Sequence, residues 1–80
     1  MFIVTHNGYG VEYFESAEEV EAFIAKTLEP HKNLSPKEIY RGYAADNHAD
    51  GKPYGDGKIK SVIIWQYRTL YTEVFMIEQR

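Results

Sequence analysis

The sequence predicts a small α+β domain: a two-layer sandwich in which a mostly antiparallel sheet carries one helix on one face. Three observations lead there. Asn7-Gly8 separates two short apolar segments, and this dipeptide is the strongest two-residue hairpin signal. Ser16-Ala17-Glu18-Glu19 has capping-box spacing and opens a helical apolar stripe. Ile59 to Tyr67 is rich in β-branched and aromatic residues, as a strand should be. The implied order is β-β-α-β-β-β, with residues 1–80 forming one domain.

Each element follows from its residues. Phe2 to Thr5 is apolar and β-branched, and is expected as a strand. Val11 to Phe14 is its antiparallel return. The helix begins after Ser16, whose oxygen can accept from the Glu19 amide. Val20, Phe23, Ile24, Thr27 and Leu28 then recur at i, i+3, i+4, i+7 and i+8. Glu18, Glu19 and Glu21 favour the positive end of the helix dipole, and Lys26 the negative end. Pro30 ends the helix within a few residues. Phe23 is expected at the centre of the helix–sheet contact.

Ser35-Pro36-Lys37-Glu38 repeats the capping pattern, but Glu38 to Ala44 reads better as an interrupted strand reached through a turn. Residues 46–57 form a loop rich in Asp, Asn and Gly. Ile59 to Tyr67 follows as a strand whose odd positions make the better core face. Leu70 to Ile77 is the last strand. Arg68-Thr69 lies near the reversal, without the Gly or Asn that usually makes one, and a single long bent strand is the alternative.

The second sheet face sets the functional question. One helix covers one face, so the other should be polar. Val62 and Ile64 instead sit on the even positions of their strand, and Leu70 to Gln79 is mixed on both parities. An apolar strip on an uncovered face is a contact surface. Its covering is either the chain's own 44–57 loop, a second copy or another protein, and a twofold homodimer is the commonest solution.

Composition bounds the alternatives. The chain has 80 residues and no cysteine, which excludes a disulfide framework, a thiol nucleophile and a cysteine zinc site. The longest apolar run, Val62 to Trp65, is four residues, far below the roughly 20 needed to span a membrane. Nothing at the N-terminus has the layout of a signal peptide. A cytoplasmic protein without a membrane partner is expected. The formal charge of -3 is uneven: residues 1–25 hold five acids and no Lys or Arg, and the remainder is net positive.

Motifs for chemistry fall short. Asp46, Asp50 and Gly51 match three positions of a calcium loop, but His48 and Gly57 stand where oxygen ligands belong. Gly51 to Lys58 resembles a phosphate loop, but its spacing is one residue too long and Ile59 replaces the Ser or Thr. His6, His31 and His48 lie far apart with no ligand spacing. No cofactor, metal or catalytic residue is expected. Lys52, Lys58, Lys60 and Arg68, interleaved with Tyr54, Trp65, Tyr67 and Tyr71, suit a nucleic-acid surface, but a pI near 5.5 opposes one.

The expected function is therefore that of a small non-enzymatic interaction or regulatory protein, binding a protein partner or itself through an open sheet face and the 46–58 loop. The expected contact residues are Tyr54, Lys58, Lys60, Val62, Ile64, Arg68 and Tyr71. A nucleic-acid module on the same face is the alternative, and a small enzyme the third.

Overall fold

A computed structural model describes residues 1–43 and 59–80. The elements are β1 (Phe2–His6), β2 (Tyr9–Phe14), α1 (Ala17–Leu28), a 3-10 segment (Glu29–Leu34), β3 (Lys37–Tyr43), β4 (Ile59–Gln66) and β5 (Thr72–Gln79). The five strands form one antiparallel sheet in the order β2-β1-β5-β4-β3. The α+β class and the predicted element order are both present.

The first hairpin turns where the sequence placed it. Asn7 and Gly8 both take positive φ, at 53° and 79°, the geometry of a type I′ turn. At the start of α1, Ser16 Oγ accepts from the Glu19 amide at 3.2 Å. The returning arm differs by one residue from the expected box, because Glu19 Oε2 accepts from the Glu15 amide rather than that of Ser16. Pro30 falls at the start of the 3-10 segment, where a missing N–H costs nothing. Ser35, at φ 52°, redirects the chain into β3. Ser35-Pro36 thus leads into a strand and starts no second helix.

Helix and 3-10 segment carry the chain from one sheet edge to the other. β2 and β3 are the two outermost strands. Crossing four inter-strand gaps takes about 19 Å. Twelve residues of α-helix supply about 18 Å of rise, and the 3-10 turns add more. The crossing lays Val20, Ile24 and Leu28 on the sheet. They pack with Val4, Ile63, Tyr67, Phe75 and Ile77.

Ile24, 2% exposed, occupies the centre expected for Phe23. Phe23 is half-buried and flanks the core. Its ring lies 5.2 Å from that of Phe14 and meets Phe75 edge-on at 6.2 Å. The stripe is correct, but its axis runs along Val20, Ile24 and Leu28, displacing the larger ring toward the β2 edge.

The β4–β5 reversal is a tight turn, which removes the bent-strand alternative. Leu70 N–H donates to the Tyr67 carbonyl and Tyr67 N–H to the Tyr71 carbonyl, both at 2.8 Å. Leu70 adopts φ 70°, the left-handed conformation usually left to Gly or Asn. β5 therefore begins at Thr72 rather than Leu70. No helix among the described residues is long and apolar enough to cross a membrane.

Candidate functional site

Register assigns the two faces. Ile63 pairs with Phe75 and Ser61 with Ile77, so the odd residues of β4 and β5 face the helix. Val4 pairs with Ile77 and His6 with Phe75, adding the even residues of β1. The opposite face carries Ile3, Thr5, Val62, Ile64, Val74 and Met76 by the same pairings. Val11 and Tyr13 of β2 continue it to the sheet edge, where both are more than half exposed.

The centre of this outer face is apolar. Ile64 pairs with Val74, and Val62 with Met76. Its charged positions, Lys37, Lys60 and Glu78, all fall at strand ends. Val62 is itself only 5% exposed. It stands opposite Gly42, and Tyr40 lies across that glycine: a Cβ there would be 2.7 Å from the Tyr40 hydroxyl. Gly42 thus makes room for an aromatic ring beside Val62. Ile64, Val74 and Met76 remain partly exposed, and none of the described elements packs over them.

The predicted contact residues divide into three groups. Val62 and Ile64 share the outer face, and register puts Lys60 on it, opposite Glu78. Arg68 and Tyr71 belong to the β4–β5 turn; both are exposed, and Tyr71 lines a cleft on the helix side. Tyr54 and Lys58 lie outside the described residues, as do the calcium-like and phosphate-loop-like stretches and His48.

A second constellation joins residues that the sequence scatters. Glu73 lies on the helix face between Tyr71 and Phe75, and is 7% exposed. Such burial of a carboxylate needs partners. His6 Nε2 contacts Glu73 Oε2, and Asn7 Nδ2 donates to the same oxygen at 2.8 Å. Tyr67 Oη donates to Oε1 at 3.3 Å. Asn7 also binds the β5 backbone at Val74 in both directions, each bond 2.7 Å long. The His6 ring stacks on Phe75, with centroids 4.8 Å apart.

Tyr67 extends the chain of contacts to a second histidine. His31 meets the Tyr67 ring edge-on at 5.5 Å. Burial, followed by the negative charge of Glu73, holds the Tyr67 phenol above its ordinary pKa. Beside this row lies a cleft of about 400 Å³ lined by His31, Leu34, Tyr67, Thr69, Tyr71 and Glu73. The Arg68 amide donates to the Leu34 carbonyl at 2.8 Å, pinning the 3-10 segment to the turn and fixing the cleft walls.

Sequence reasoning missed Glu73 as a site residue. The available signal was a charge alternating with Tyr71, Phe75 and Ile77 on one strand face. Its partners His6 and Asn7 become visible only once β1 is paired to β5, 67 residues of chain separating His6 from Glu73.

The described residues offer no cluster of three or more metal-ligating side chains. An unequal charge distribution is also tempered in the fold. Arg41 of β3 binds Glu21 of α1 at 2.7 Å and Glu38 at 2.6 Å, and these carboxylates hold its guanidinium above its ordinary pKa. No family model matches this chain, and no curated protein or solved structure is detectably similar to it.

Proposed function

We propose that this chain is a non-enzymatic interaction protein that pairs with a second copy of itself through the outer sheet face. The observation that carries the reading is the patch of Ile64, Val74 and Met76, partly exposed at the centre of that face. The surrounding chemistry favours a like partner. Lys37, Lys60 and Glu78 occupy strand ends, so the centre offers no charge to steer a charged ligand. An apolar centre with a polar rim is the pattern of homodimer interfaces.

Area supports the same occupant. Five strands of up to eight residues present about 600 Å² per face, or on the order of 1,200 Å² for a pair, the lower end of stable interfaces. A twofold axis through the centre of the patch lets the aliphatic rows of the two copies meet.

Sedimentation equilibrium of the full chain tests the proposal. The expected result is a mass of twice 9.3 kDa at micromolar concentration, falling on dilution. A mass that stays at 9.3 kDa into the high micromolar range removes the homodimer.

A further inference from the structure

We infer that the cleft beside Glu73 binds a small organic ammonium ion, of the kind carried by a primary alkylamine. The site is on the helix side of the sheet and does not depend on the dimer reading.

The argument begins with the acceptors of Glu73. A carboxylate has about four lone-pair directions, two on each oxygen. Among the described residues, Oε2 meets two partners, His6 and Asn7. Oε1 meets one, the Tyr67 hydroxyl at 3.3 Å. One acceptor direction therefore stays open on the oxygen that Tyr67 shares. Tyr67 and Glu73 both line the cleft, so a ligand in it lies beside this carboxylate.

The other walls favour a cation with an apolar body. Tyr67, Tyr71 and His31 contribute three rings, and Leu34 an aliphatic surface. Aromatic faces attract organic cations, most strongly where water is excluded. Arg68, the cation of the turn, is not among the lining residues. An ammonium N–H fills the open acceptor as a charge-assisted hydrogen bond. The alkyl chain then lies along Leu34 and Tyr71. A carboxylate or phosphate ligand would instead face the negative Glu73.

The framework is rigid enough to hold this geometry. The Arg68–Leu34 backbone bond ties the two walls together, and Asn7 locks the Glu73 side of β5 through its paired bonds to Val74. Tyr71, at 66% exposed, supplies the outer wall together with the exposed His31 and Thr69.

The test is a backbone-amide NMR titration of the full chain with n-butylammonium chloride. n-Butanol plus matched sodium chloride is the comparison. The expected result is saturable shifts at Leu34, Thr69 and Tyr71, with a dissociation constant in the millimolar range, and binding of butanol about tenfold weaker. Glu73→Gln removes the charge while keeping the shape, and is expected to weaken butylammonium binding about tenfold. Should that variant fail to fold, Tyr71→Ala at an exposed position is expected to weaken it about threefold. Equal binding of butanol, unchanged binding by both variants, or no saturable shifts in this cleft would each overturn the assignment.

Discussion

Glu73 concentrates the polar energetics of the domain in one side chain. It accepts from Asn7 and Tyr67 and contacts His6 at 7% exposure, so its removal leaves the buried Tyr67 hydroxyl and two half-buried groups unmet. Each unmet buried donor costs about 1–3 kcal/mol, so Glu73→Ala is expected to lose about 3 kcal/mol in urea unfolding, and Glu73→Gln less because its amide oxygen still accepts. An unchanged urea midpoint for Glu73→Ala would show that the cluster is not formed. Tyr67 gives the same cluster a pH signature. Its phenol is held above the ordinary value of about 10, so the unfolded chain ionises first. The stabilisation is thus complete below about pH 10 and is lost as pH rises through the folded-state pKa. Thermal midpoints taken across that alkaline range are expected to fall less steeply in Tyr67→Phe than in the wild type. Glu73 was readable in the sequence as a charge on a mostly apolar parity. Its partners His6 and Asn7 were not, because both lie at the first hairpin turn and meet Glu73 only when β1 is placed beside β5.

Elements with local codes are those the sequence disclosed. Asn7-Gly8 and Ser16 with Glu19 act within a few residues, and the first hairpin and helix start follow them. The position of α1 over the sheet is tertiary, which is why Ile24 rather than Phe23 takes the centre. Ile24→Ala is therefore expected to cost about 3–4 kcal/mol, and Phe23→Ala less than a fully buried ring would, because a half-buried side chain removes less area from water. Guanidinium titrations of the two variants decide the order, and a larger loss at Phe23 would contradict the observed packing. The β4–β5 turn illustrates the converse case. Leu70 was hidden from turn signals because a β-carbon at φ 70° is strained. Its backbone bonds and the Arg68–Leu34 bond overrule that local preference. Leu70→Gly relieves the strain and is expected to raise stability by about 1 kcal/mol, read as a higher midpoint in the same titration.

At the scale of the whole molecule, the two sheet faces divide the work. One is closed by α1 over a core that includes Val4, Ile24 and Phe75, and the other presents Ile64, Val74 and Met76 beside the ring of Tyr40. The acidic and basic halves read from the sequence are joined where Arg41 binds Glu21 across the layers. Charge is thus partly spent within the protomer, and the outer centre is apolar. This makes salt a discriminating variable. Apolar association is little weakened by moderate sodium chloride, whereas a nucleic-acid surface loses affinity steeply. Ile64 is the residue on which the proposed dimer depends most directly, being partly exposed and opposite Val74. In a twofold interface every substitution counts twice. Losing an isoleucine contact of about 2 kcal/mol in each copy gives about 4 kcal/mol, or roughly a thousandfold in dissociation constant, before the desolvation of a new carboxylate is added. Ile64→Asp is therefore expected to sediment as a monomer at concentrations where the wild type is paired, with its far-ultraviolet circular dichroism retained. A variant that unfolds would assign Ile64 to the protomer's own core, and a variant that still pairs would move the interface elsewhere.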